Sequence, residues 1–170
     1  MRALISPDQI AKRIQELAVQ LNARYVNEEL SLVIIMKGAL FFAADLMRKL
    51  TVPCTLDYIR ASSYGERGQK RGELNIIGLE ELKLSGKNVL VIDDIFDSGN
   101  TLSQIAQALQ KQHPKTLRTI VLLKKNVKRQ TEYLPDEYLF EIEDAFVVGY
   151  GLDYKEHYRE LPGVFAMEQE

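Results

Sequence analysis

The chain has 170 residues, 46% of them hydrophobic, enough for one domain with a substantial core. Its 22 Lys and Arg against 24 Asp and Glu leave a formal charge of −2, without the basic excess that gives nucleic-acid-binding proteins their non-specific affinity. Cys54 is the single cysteine, so an intrachain disulfide is excluded and a reducing compartment fits. The opening stretch MRALISPDQIAKRI has no signal-like apolar run, and no segment reaches the ~18–20 apolar residues that span a bilayer. A cytoplasmic protein with no membrane partner is expected.

In chain order, Ser6 and Pro7 open a helix as N-cap and first helical residue, and Ile10, Ile14, Leu17 and Leu21 share one face of it. LSLVIIM is continuous and β-branched, as in a strand buried on both faces, and ALFFAADLMRKL after it has helical length. CTLDYIRA and GELNIIGL read as the second and third strands. Between them, residues 62–72 (SSYGERGQKRG) lack periodicity and are expected to form a mobile surface loop. NVLVID is the fourth strand, TLSQIAQALQKQ a helix and TLRTIVLLKK the fifth strand. This alternation predicts an α/β fold, a mostly parallel central sheet flanked by helices. After Asn126 the pattern breaks into short pieces rich in Tyr, Phe, Gly and Pro, expected to form a small cap on one edge of the core. No repeat or linker divides the chain. A single domain over 1–170 is expected, with a core of about 20–130 and a hood of about 138–170 joined by the N-terminal helix.

The chemistry is concentrated in VLVIDDIFDSGNTL, residues 89–102. Asp93, Asp94 and Asp97 repel one another, and none favours a strand. In an open parallel sheet, ligands bind at the carboxyl ends of the strands, where these acids fall. The loop then passes through Ser98, Gly99 and Asn100 into a helix beginning near Thr101. Its N-terminus presents unpaired N–H groups and partial positive charge, and Gly99 lets the backbone approach an anion. Carboxylates for hydroxyls or Mg²⁺ thus stand beside a phosphate cradle, and a phosphorylated sugar satisfies both. Helix capping alone explains one acid but not an adjacent pair on a buried strand. A phosphoacceptor receiver domain also pairs acids, but after an early strand and without a Ser-Gly-Asn loop.

This stretch resembles the phosphoribosyl pyrophosphate motif of type I phosphoribosyltransferases: four apolar residues, two acids, two apolar residues, then Asp-Ser/Thr-Gly-x-Thr. IIMKGALFFAADL at 34–46, SSYG at 62–65 and FVVGYGLDYKEHYRELP at 146–162 are similar to the hypoxanthine-guanine branch, in family order. The resemblance implies that Asp93 and Asp94 meet the ribose 2- and 3-hydroxyls and that Asp97 is the catalytic proton acceptor for purine N7. Asp97, Ser98, Gly99, Asn100 and Thr101 become the 5-phosphate loop. Lys37 and Gly38 match the pyrophosphate loop, which in the family contains a cis peptide, here at Met36–Lys37 or Lys37–Gly38. Arg159 matches the pyrophosphate-binding arginine, and Ser63 and Tyr64 the tip of the mobile loop. In the cap, Phe146 matches the residue that stacks on the purine, Val147 one whose backbone meets the ring edge, and Asp153 a Mg²⁺-holding residue beside the purine. Counting back from FVVGY puts Lys125, not its neighbour Lys124, at the purine 6-oxo group, and strand alternation points the two to opposite faces. Phe96 is bulkier than the family's usual aliphatic.

The implied reaction transfers 5-phosphoribosyl from phosphoribosyl pyrophosphate to N9 of hypoxanthine or guanine, giving IMP or GMP and pyrophosphate. The implied cofactor is Mg²⁺, bound by Asp153, Asp93 and Asp94, and the implied assembly a homodimer or homotetramer without nucleic acid. Two other readings fit the same motifs. A regulator that senses phosphoribosyl pyrophosphate or a nucleotide would add a basic surface or a second domain. A phosphoribosyltransferase for xanthine or a pyrimidine is the other, since a 6-oxo contact does not separate hypoxanthine, guanine and xanthine.

Overall fold

The computed structural model describes residues 1–63 and 74–167. A short strand, β1 (Arg2–Ile5), leads into helix α1 (Pro7–Arg24). Ser6 Oγ accepts from Gln9 N, and Gln9 Oε1 accepts in return from Ser6 N, a reciprocal cap with Pro7 at the first turn. Then come β2 (Leu30–Met36), α2 (Leu40–Met47), β3 (Cys54–Ser63) and β4 (Leu74–Ile77). A 3₁₀ turn (Leu79–Glu81) precedes β5 (Asn88–Phe96), α3 (Asn100–Gln110) and β6 (Thr116–Lys125). The chain ends with β7 (Glu137–Ile142), β8 (Val147–Val148) and β9 (Val164–Ala166).

Six strands form the central sheet in the order β4-β3-β2-β5-β6-β7, parallel except for β4 at one edge. Its inner strands are buried on both faces, which is why they read as unbroken apolar runs. Leu32 and Ile34 of β2, with Leu90 and Ile92 of β5, pack under α1 and α2, whereas Val33, Ile35, Val89 and Val91 pack under α3. Helices therefore cover both faces, as the alternation predicts. Cys54 is half-buried at the start of β3 and packs against the first of these layers.

β5 runs past the expected NVLVID to Phe96, and three larger differences from the sequence expectations concern how elements are placed. Glu137–Ile142 falls mostly within the segment assigned to the hood, yet it pairs in parallel with β6 as the sixth strand of the central sheet. Only Leu139 is fully buried in it, so it carries a weaker apolar signal than the inner strands. Residues 2–5 were not expected to be ordered as a strand, but β1 pairs with β9 from the far end of the sequence, and β9 with β8, in a separate antiparallel sheet. α2 stops at Met47 instead of running to Leu50, because Asn22 of α1 draws the chain aside. Its Nδ2 donates to Lys49 O and its Oδ1 accepts from Thr51 N.

Tyr64 and positions 64–72 of the expected mobile loop lie outside the described residues. Ser63 ends β3, in register with Leu74. Among the described residues no helix is long and apolar enough to cross a membrane.

Candidate active site

The strand order reverses between β2 and β5. From β2 the chain crosses through α2 to β3 on one side, and from β5 it crosses through α3 to β6 on the other, with the two helices on opposite faces. The loops leaving β2 and β5 therefore separate and open a crevice at the carboxyl ends of these strands. The pairing of β2 with β5 ends at Ile34 and Ile92, just before the first acid.

Asp93 is buried, and Asp94 is partly buried beside it. Asp93 Oδ1 accepts from Asp94 N at 2.9 Å, and Asp94 Oδ1 accepts from Ile95 N at 2.7 Å. Burial, then the neighbouring Asp94, pushes the Asp93 carboxyl well above the usual carboxylate range. Burial also raises Asp94, while its carboxylate feels the opposing field of Arg159. Two carboxyl groups are thus held side by side at the end of the buried run, suited to hydroxyl donors or a cation.

Next to it, the Met36–Lys37 peptide is cis, which resolves the two options left by the sequence. A methyl on Gly38 would overlap the Asp94 carboxylate. Across the crevice, Gly151 at φ +100° lies so close to the Gly38 carbonyl that a Cβ there would collide with it. Glycines at 38 and 151 let the β2 loop, the acid pair and the hood meet backbone to backbone.

The chain turns through Gly99 into α3 as expected. Asp97 is exposed and its Oδ1 accepts from Ser98 N at 2.5 Å. Gly99, at φ +82°, is the N-cap of α3, and Asn100 and Thr101 are the exposed first residues of the helix. The ring of Phe96 lies directly beneath Gly99, leaving no space for a side chain. The bulk at position 96 thus supports the loop. Sequence reasoning missed the backing from the other side, where Gln130 N donates to Ser98 O at 2.9 Å and the Thr131 methyl abuts Gly99.

The neighbouring lysines diverge. Lys124 Nζ lies 2.9 Å from Glu141 Oε2 and 4.8 Å from the centre of the Tyr138 ring, on the outer side of β7. Lys125 reaches Asp144 Oδ1 at 3.4 Å, in the turn that leads to Phe146. Phe146 is 42% exposed, so its ring is not core, and it meets Tyr154 edge-on at 5.6 Å. Val147 is buried, its backbone in register with Ala166.

Arg159 joins the hood to the crevice. Its Nη1 donates to Gly151 O at 2.7 Å and its Nη2 lies 2.9 Å from Asp153 Oδ1. Glu156, a residue the sequence did not single out, ties the cations together: Oε2 is 2.5 Å from Lys37 Nζ and Oε1 is 3.0 Å from Arg159 Nη2. Its carboxyl is lowered, first by the Lys37 contact and then by Arg159. Tyr150 completes the anchorage, its hydroxyl donating to Asp45 Oδ2 of α2 at 2.6 Å, and burial followed by that carboxylate raises the phenol. Among the described residues no three His, Cys, Asp or Glu side chains form a closed metal cage. Asp93 and Asp94 are the adjacent carboxyls that could hold a cation of the Mg²⁺ type, which binds through one or two carboxylates together with phosphate oxygens and water.

An acid pair, a helix N-terminus and two cations around one crevice are chemistry that suits a phosphorylated sugar with an anionic leaving group. Comparison with known proteins narrows this class. Residues 5–155 match the family model of the phosphoribosyl transferase domain. The hypoxanthine-guanine phosphoribosyltransferase of Bacillus subtilis is 38% identical over 167 residues, covering 98% of this chain and 93% of that protein. The hypoxanthine phosphoribosyltransferase of Salmonella typhimurium is 40% identical over 167 residues, covering 96% and 93%. The crystal structure of a hypoxanthine-guanine phosphoribosyltransferase from Bacillus anthracis superposes with a TM-score of 0.92 at 36% identity, covering 99% of both chains. The Trypanosoma cruzi hypoxanthine phosphoribosyltransferase in complex with its product IMP gives 0.90 at 32%, covering 98% and 94%. The chain belongs to the phosphoribosyl transferase family and, within it, to the hypoxanthine-guanine phosphoribosyltransferases.

Proposed function

We propose that this chain is a purine-salvage enzyme that transfers 5-phosphoribosyl from phosphoribosyl pyrophosphate to N9 of hypoxanthine or guanine, releasing pyrophosphate and IMP or GMP. The observation that carries the reading is the convergence of Gly38, Asp94 and Arg159 at the point where the sheet reverses, beside the Gly99 loop. In this reading Asp93 and Asp94 hold the ribose hydroxyls, and the loop from Asp97 to Thr101, at the start of α3, holds the 5-phosphate. Lys37, the Gly38 backbone and Arg159 hold the pyrophosphate.

C1 of the ribose becomes cationic as its bond to pyrophosphate lengthens, and purine N9 supplies the electron pair for the new bond. The proton on N7 passes to Asp97, assistance typically worth about 10²–10⁴-fold. Lys125 donates to the 6-oxo group, Phe146 stacks on the ring and the Val147 backbone meets its edge. Asp93 and Asp94 at the strand end and Asp153 in the hood are the residues that would hold Mg²⁺, which would supply charge neutralisation to the leaving pyrophosphate. Exposed Leu40 and Phe41 on α2 support a homodimer or homotetramer, and the single cysteine supports a cytoplasmic location.

A spectrophotometric assay with phosphoribosyl pyrophosphate and Mg²⁺ tests the reading. Hypoxanthine and guanine should turn over, and adenine and uracil should not. Tight binding of phosphoribosyl pyrophosphate without turnover of any base would replace the enzyme with a regulator.

A further inference from the structure

Glu156 has no role in the transfer just described, yet it occupies the most highly charged junction of the crevice. One carboxylate oxygen faces Lys37 Nζ and the other Arg159 Nη2, so a single anion spans the β2 loop and the hood. Arg159 is held independently by Gly151 O and Asp153, and Lys37 by its short loop between β2 and α2. Arg159 therefore stays in place without Glu156, and Lys37 keeps its root beside the crevice. Glu156 itself is 64% exposed, and its backbone sits at φ +69° in a turn whose N–H donates to Asp153 Oδ2. Its side chain is free to swing out toward water.

We propose that the Glu156 carboxylate is an internal stand-in for pyrophosphate, filling the Lys37–Arg159 seat when that seat is free and competing with the phosphate oxygens for it. The inference rests on the assignment of Lys37 and Arg159 to pyrophosphate. A carboxylate and a phosphate share the preference for the planar guanidinium fork and for the ammonium, so the same two donors serve either anion. Free cations in the crevice would hold the leaving group tightly, whereas an attached competitor lowers the affinity for it. Glu156 thereby favours release of pyrophosphate.

Calorimetric titration of inorganic pyrophosphate, with Mg²⁺ present, into the full chain tests this without relying on turnover. Glu156→Gln should bind pyrophosphate about threefold to tenfold more tightly, the scale expected on removing two exposed ion pairs that compete with the ligand. Glu160→Gln removes the same charge from a residue that forms no ion pair among the described residues, and should change binding less than twofold. Unchanged or weaker binding in Glu156→Gln, or equal tightening in Glu160→Gln, overturns the competition. If the unaltered chain and both variants all fail to bind pyrophosphate, the assignment of Lys37 and Arg159 falls, and the competition with it.

Discussion

Gly38 lies against the carboxylate of Asp94 with no room for a β-carbon between them. Gly38→Ala must displace either the acid or the loop that carries Lys37. Overpacking of this kind costs about 1–3 kcal/mol. The expected result is a raised KM for phosphoribosyl pyrophosphate, by about tenfold or more, with a lowered melting temperature, measured by initial rates and calorimetry on the same preparation.

Asp97→Asn keeps the oxygen that accepts from Ser98 N but removes the basic carboxylate. Because Asp97 is exposed, the fold should be unaffected. kcat should drop by about 10²–10⁴-fold with little change in the KM for the donor. A drop below tenfold in steady-state assays would assign the proton acceptor elsewhere.

Asp93 sets a pH dependence whose sign follows from its raised carboxyl. Between the ordinary value of 3.8 and the raised one, the folded chain keeps a proton that the unfolded chain has released, so stability falls as pH rises through that window. Asp93→Asn should flatten the slope and raise the ligand-free melting temperature at pH 7 by about 2–4 °C, on the order of 1 kcal/mol for a chain of this size. Activity should fall in the same variant. Scanning calorimetry from pH 5 to about 8 checks the slope.

Lys125 and Lys124 should behave differently. Lys125→Ala removes the donor on the hood side, and the KM for hypoxanthine should rise by about tenfold or more, since an unpaired polar contact costs about 1–3 kcal/mol. Lys124→Ala loses an ion pair to Glu141 and a place over Tyr138, and should leave the KM within about twofold. Parallel kinetics on the two variants decide it.

Where local physics dominates, the fold is legible in the sequence. β2 and β6 have the limits that their apolar runs indicate, and Ser6 and Pro7 start α1 as expected. The acid pair and Gly99 are legible because a buried strand running into carboxylates and a glycine admits few explanations. What escapes depends on distant partners. β1 is four residues long and exists through β9, and β7 buries a single side chain fully. Glu156 reads as one more acid in a charged turn, and only tertiary structure brings Lys37 to it. The cis bond before Lys37 likewise has no signature in side-chain type.

The small sheet that pairs β1 with β9 and β9 with β8 has a consequence for synthesis on the ribosome. The central strands through β7 emerge before β9, and a domain can begin to collapse on what has already been made. β8, next to Phe146, has no partner until β9 appears, and β9 is also the first partner of β1. An unfinished chain can therefore build the acid pair and the Gly99 loop while β8 and the hood around Phe146 still lack their partner. Arg159, between β8 and β9, is made later still, so the crevice closes on its hood side only as the last strand appears.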